Sequence, residues 1–139
     1  MKAQVLIYSD PHLGLRRRAN FTPASAKARD LEANKALQQV VESRKSGQFN
    51  YVFCLGDFFD SHSNSEDVIM RALPIAQATD CILAGNHDVH NSVDSVSSLH
   101  LINEITENVV FGKTQIFPVY DTRFWIVPHQ LTQKQFEQE

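Results

Sequence analysis

Apolar runs at Val5-Leu6-Ile7-Tyr8, Tyr51-Val52-Phe53-Cys54-Leu55 and Cys81-Ile82-Leu83-Ala84 are short and continuous, and each stops at turn-forming residues. Runs of this kind predict strands buried on both faces. Between them the period changes. Ala33, Ala36, Leu37, Val40 and Val41 share one helical face, Thr22-Pro23 offers an N-cap and a first helical residue, and Gly47 stands where a C-terminal cap belongs. The spacing predicts a helix from about Pro23 to Lys45. Val68, Ile69, Ala72, Leu73 and Ala76 predict a second, opened by a capping box of Ser63 and Glu66 and kinked or ended by Pro74. A third helix is expected near Val93 to Ile105. Strands are then expected at Val109-Val110-Phe111, Ile116-Phe117-Pro118-Val119 and Phe124-Trp125-Ile126-Val127, followed by a polar, helical end from Leu131 to Glu139. Phe58, Phe59 and Trp125 are assigned to the core, as apolar aromatics usually are.

Strands separated by helices describe a βαβαβ unit with a parallel sheet, and so an α/β fold. In open α/β sheets ligands bind beyond the carboxyl ends of the strands. Each early strand delivers a chemical cluster to that edge: Asp10-Pro11-His12, then Gly56-Asp57-Phe58-Phe59-Asp60, then Gly85-Asn86-His87-Asp88. Alone, each cluster is ordinary turn chemistry. Together, in order and at three strand ends, they describe a metal site.

A divalent ion such as manganese or iron accepts carboxylate oxygen and imidazole nitrogen together. Asp10 and His12 are expected on one ion. Asp57 follows a glycine that lets it approach closely enough to bridge two ions, and Asn86 offers a carbonyl oxygen to the second. Two ions about 3.5 to 4 Å apart acidify a shared water and clamp the attacking and leaving oxygens of a displacement at phosphorus. His87 is then the candidate to protonate the leaving oxygen, with Asp88 to orient it. Asp60 is read as a support for its loop and His129, at a later strand end, as a further candidate ligand. His62, His90 and His100 are read as loop or helix-surface residues.

Composition narrows the class without choosing a substrate. The chain has 139 residues, one domain's worth, with 42% hydrophobic and 21% charged residues. A formal net charge of -3 announces no basic field for nucleic acid, leaving only the local run Arg16-Arg17-Arg18 just past His12. Cys54 and Cys81 sit inside apolar runs and read as buried hydrophobes in a reducing compartment. No segment has the length of a signal-peptide core or a membrane span, so a cytoplasmic location is expected.

The three clusters resemble the calcineurin-like metallophosphoesterase superfamily, whose pattern runs Asp-x-His, Gly-Asp-x-x-Asp, Gly-Asn-His-Asp/Glu, then a lone His and a Gly-His-x-His. Ser9-Asp10-Pro11-His12-Leu13-Gly14, the Arg29-Asp30 helix and Leu55-Gly56-Asp57-Phe58-Phe59-Asp60 look most like the nuclease subunit of SbcCD-type complexes, including those of bacteriophage. The likeness covers about residues 4 to 128. It implies a β sandwich flanked by helices that binds two divalent ions, Mn2+ first with Fe2+ or Mg2+ as alternatives, and cleaves DNA phosphodiesters. It places Asp10 and His12 on the first metal, Asp57 between the two, Asn86 on the second, and His87 beside the leaving group. It also implies an SMC-type ATPase partner for the full-length protein, bound through a C-terminal region, and is compatible with a homodimer.

No Gly-His-x-His occurs here. Residues 1–139 are therefore read as the N-terminal portion of a longer nuclease domain, incomplete at its C-terminus, without the partner-binding region and with weak or absent activity. The alternatives are a phosphatase or small-molecule phosphodiesterase with the same metals, and a non-catalytic interaction module of the same fold.

Overall fold

The computed structural model describes residues 2–15, 22–89 and 95–129. The Arg16–Arg18 run, His90, the expected helix start at Val93 and the expected helical end from Leu131 to Glu139 lie outside the described residues. The elements are β1 (Val5–Tyr8), α1 (Pro23–Lys45), β2 (Tyr51–Cys54), α2 (Glu66–Gln77), β3 (Cys81–Leu83), α3 (Ser98–Thr106), β4 (Val109–Val110), β5 (Gln115–Val119) and β6 (Thr122–Ile126). The first four strands pair in the order β1-β2-β3-β4, all parallel, and β5 with β6 forms a separate antiparallel hairpin.

Strand alternation sends the side chains of the parallel sheet into two cores. Val52, Cys54, Ile82 and Val109 pack with Leu37, Val40 and Val41 of α1, Ala72, Ile75 and Ala76 of α2, and Leu99 and Ile102 of α3. Phe53, Cys81 and Val110 point the other way and meet Val119 and Ile126, with Phe117 and Phe124, from the hairpin. Helices, parallel sheet and hairpin are thus three successive layers. A sheet covered on both sides has no polar face, which is why its strands read as unbroken apolar runs.

Local signals explain most boundaries. Thr22 caps α1 by accepting the Ser25 amide at 3.2 Å, and Gly47 leaves the helix with φ +71. The expected capping box of Ser63 does not form. Ser65 is the N-cap of α2, and Glu66 and Asp67 instead place negative charge in the first turn, against the helix dipole. Pro74 neither breaks nor ends α2, which runs on to Gln77. Helix α3 begins at Ser98, later than expected, because the Ser97 amide donates to His100 Nδ1 at 3.0 Å and closes the cap there. His100 also stacks on Phe111, with ring centroids 4.2 Å apart.

Phe58 and Phe59 are fully buried, but Trp125 is 66% exposed. In β6 the inward positions are Phe124 and Ile126, so Trp125 falls on the outer face beside its cross-strand partner Ile116. Among the described residues no helix is long and apolar enough to cross a membrane.

The first strand-end loop is seated in the core by Leu13, 1% exposed, which forms an isolated parallel bridge to Phe59. Leu13→Ala is expected to cost about 2–5 kcal/mol, as large-to-small changes at packed sites do. A shift of the urea midpoint with an unchanged slope is the measurement; a midpoint equal to wild type would contradict this seating.

Candidate metal centre

The loops after β1, β2 and β3 leave the same edge of the sheet and are stitched together by backbone. The amides of Asp10, His12 and Leu13 donate to the carbonyls of Gly56, Asp57 and Phe58 at 3.1, 3.1 and 3.0 Å. Asp10, His12 and Asp57 all adopt left-handed φ, at 53, 46 and 47°. Such values cost an L-residue about 1–2 kcal/mol each. They are held by these neighbouring loops, and they turn three donor side chains toward one another.

His12 Nε2 lies 3.9 Å from Asp10 Oδ1 and 4.0 Å from Asp57 Oδ2. These gaps are too long for hydrogen bonds. One donor atom each from His12, Asp57 and His87 lies within 4.8 Å of the others. Donors sharing one ion at about 2.0–2.2 Å are separated by up to roughly 4.4 Å, so only a small closure would seat an ion. The set of carboxylate and imidazole donors is also the chemistry that manganese, iron or zinc accepts. The residues present fit a divalent metal.

Asp60 supports both rings. Its backbone carbonyl lies 3.1 Å from His87 Nδ1, and its Oδ1 lies 3.3 Å from His12 Nδ1. A carbonyl only accepts, so His87 carries its proton on Nδ1 and turns Nε2 outward. His12 Nδ1 is buried and has no well-aligned hydrogen bond, and Nε2 is the nitrogen on the side of Asp10 and Asp57.

Asp88 does not orient His87, contrary to expectation. It is fully buried, and its Oδ1 accepts the Phe59 amide at 2.7 Å while Oδ2 accepts those of Phe58 at 3.0 Å and Gly85 at 2.9 Å. The carboxylate clasps the second loop to the third. In the same place Asp57 Oδ1 accepts the His87 amide at 3.0 Å. Gly85 permits this approach: a Cβ there would stand 2.2 Å from Asp57 Oδ1 and 2.3 Å from the Asp57 nitrogen.

A cavity of about 250 Å³ brings the remaining candidates to the same edge, with Asp10, Asp57, Asn86 and His129 in its lining. The His129 amide donates to the Ala84 carbonyl at 3.1 Å, which holds that chain segment beside β3. Asn86 and His129 are exposed there, and Asp10 is the most open of the carboxylates, its side chain 62% exposed. The tightest grouping contains His87, expected to transfer protons, and not Asp10. His62 and His100 are outside that grouping: the His62 carbonyl accepts the Ser98 amide at 2.7 Å, and His100 caps α3. Burial pushes the thiols of Cys54 and Cys81 up to about 12 and about 11, so neither offers a thiolate at neutral pH.

A family model described as calcineurin-like phosphoesterase matches residues 3–138, and so spans every loop of this centre. The chain belongs to the calcineurin-like phosphoesterase family. No curated protein sequence matches it. Membership makes the protein a phosphoester hydrolase of a metal-dependent family, and His12 and Asp57, with His87 beside them, form the candidate place for its ion. Sequence reasoning missed the double support by Asp60 and the clasp by Asp88. The one visible signal was the Gly-x-x-Asp spacing, which returns Asp88 to the amide of its own Gly85.

Two outcomes follow from this geometry. Gly85→Ala drives a methyl into Asp57 and is expected to abolish metal uptake in a manganese titration while leaving the helical circular dichroism intact. Burial pushes the Asp88 carboxyl up to about 6, against the pull of its three amide donors. A carboxyl raised above its unfolded value of about 4 holds its proton more readily when folded, so its contribution to stability is complete below about pH 4. That contribution is lost as pH rises through about 6. Urea unfolding of the metal-free protein is expected to show this decline, and Asp88→Asn to remove it while costing about 1–3 kcal/mol for an amide donor left unpaired.

Proposed function

We propose that this phosphoesterase hydrolyses DNA phosphodiester bonds, as the nuclease subunit of a cytoplasmic recombination or repair complex of the SbcCD type with an SMC-type ATPase partner. The hydrolytic part rests on one observation, the meeting within 4.8 Å of His12 and Asp57, which would hold an ion, with the His87 ring, left to move a proton beside it, at the carboxyl edge of the sheet. The DNA part is supported by the likeness of the segments from Ser9 to Gly14 and from Leu55 to Asp60 to that nuclease branch.

In this reading Asp10, His12, Asp57 and Asn86 would hold the divalent ions, manganese by preference. Bound ions of this kind supply Lewis-acid polarisation at phosphorus and an acidified water. Asp57 Oδ1 is partly committed to the His87 amide, which leaves Oδ2, on the His12 side, as its freer oxygen. His87 is steered by the Asp60 carbonyl so that Nε2 is the working nitrogen. Protonated there, it donates to the departing oxygen, and the Asp60 carbonyl stabilises the cation through Nδ1.

A second reading, hydrolysis of small phosphate esters, is favoured by the cavity itself. Among the described residues its lining includes Leu55, Leu83 and Val127 and no lysine or arginine to hold a nucleic-acid backbone. Manganese-dependent cleavage of linear DNA by the full-length protein, compared with p-nitrophenyl phosphate and its bis-ester, separates the two, residues 1–139 alone being expected to show weak activity or none. The nuclease reading expects DNA to be cleaved and His87→Ala to lose about 10²–10⁴-fold in rate with manganese still bound. Turnover of the monoester alone would overturn the nuclease assignment, and a fully active His87→Ala would overturn the role of that ring.

A further inference from the structure

We infer that Asp30, with Arg71 as its counter-charge, is a positioning residue for the metal centre, anchoring the loop that carries Asp10 and His12 to α1 and α2 through the Gly14 amide. The inference rests on the metal-site reading above. The loop cannot hold its own shape: Asp10, His12 and Gly14 have φ of 53, 46 and 76° within five residues. Strain of this kind persists only where the surroundings over-determine it. The amides of Asp10, His12 and Leu13 are held by backbone carbonyls of the second loop. At Gly14 the anchor changes to a side chain, and the amide donates to Asp30 Oδ1 at 2.6 Å.

The carboxylate is built for that contact. Its side chain is only 7% exposed, and a buried charge must be paired. Arg71 Nη1 meets Oδ2 at 2.8 Å, and the guanidinium is held from its other side by Asp67 at 3.1 Å. Asn34 Nδ2 donates to the Asp30 carbonyl at 2.8 Å and reaches Oδ1 at 3.4 Å. A brace between the two helices would need Oδ2 alone. The other oxygen is spent two residues from His12, at a short charge-assisted bond. Gly14 itself is wedged against the start of α2: a Cβ would stand 2.7 Å from Asn64 Oδ1 and 2.8 Å from Val68 Cγ1. Only Leu13 separates this anchor from His12, and it is bridged to Phe59 with its carbonyl accepting the Asp60 amide at 2.9 Å, so a displacement at Gly14 pulls on the same backbone ladder that holds His12.

The protein offers its own control. Asp80 accepts the Val52 amide at 2.8 Å and pairs with Arg44 at 2.7 Å, the same acid, amide and arginine device, but just before β3 and so at the opposite end of the sheet. Manganese affinity is read by electron paramagnetic resonance for wild type, Asp30→Ala and Asp80→Ala, at a temperature where circular dichroism finds each folded. The imidazole nitrogen resonances of His12 are followed in the metal-free proteins. Asp30→Ala is expected to weaken manganese binding about tenfold, the lower end of what losing an outer support costs, and to shift the His12 resonances. Asp80→Ala is expected to lower Tm and do neither. The double variant Asp30→Asn with Arg71→Gln keeps an acceptor for Gly14 beside a neutral partner, and is expected to recover most of the affinity. Equal manganese affinity and unmoved His12 resonances in Asp30→Ala overturn the inference. Should Asp30→Ala not fold, the wild-type Gly14 amide decides: slow exchange and a far-downfield proton support the anchor, and exchange at the rate of an open loop overturns it. A wild type that takes up no manganese at millimolar ion overturns the metal reading instead, and the His12 and Gly14 signals still report whether Asp30 holds the loop.

Discussion

Three backbone amides from two loops end on one buried carboxylate, and the geometry of the centre depends on it. Asp88 takes the amides of Phe58, Phe59 and Gly85, so the loop after β2 and the loop after β3 cannot move apart without stranding donors in the core. An unpaired buried amide costs about 1–3 kcal/mol. The clasp therefore resists opening with more than one such penalty. Because the second loop is fixed, its carbonyls at Gly56, Asp57 and Phe58 can in turn hold the first loop, and the donors of all three meet.

This order of dependence accounts for the left-handed backbone at Asp10, His12 and Asp57. None of these residues would choose that conformation in a free loop. The strain is offset by hydrogen bonds and by the burial of Leu13, Phe58 and Phe59, which plug the loops into the helical core. A centre whose donors are already turned inward loses little conformational entropy when an ion enters, which is the physical advantage of placing it on rigid strand ends.

The strands and α1 were legible because their signals are local. Four apolar residues followed by an acid, and a Thr-Pro start followed by a helical stripe, need no knowledge of the rest of the chain. That Asp10, His12, Asp57 and His87 would come to one edge of the sheet was legible for the same reason, since each lies in a loop that follows a strand. Elsewhere local signals competed. Ser63 and Ser65 both offer a cap for α2, and only the path of the preceding loop selects the second. Trp125 carries as much apolar surface as any core residue, yet the pleat of β6 leaves it outside because Phe124 and Ile126 take the inward positions.

The chain by itself determined the order of elements, the parallel α/β class and the three acid and imidazole clusters, because periodicity and backbone preference act over a few neighbouring residues. Tertiary structure alone decided what each polar atom would be used for. Asp88 is adjacent to His87 in sequence but serves amides 29 and 30 residues away, and Asp60 steadies His87 across 27 residues with its backbone and not its charge. Asp30, in the middle of a helix, reaches back 16 residues to a loop glycine. A hydrogen bond is short and directional, so its partner is set by which distant segments the packed core brings within about 3 Å, and no local pattern carries that information.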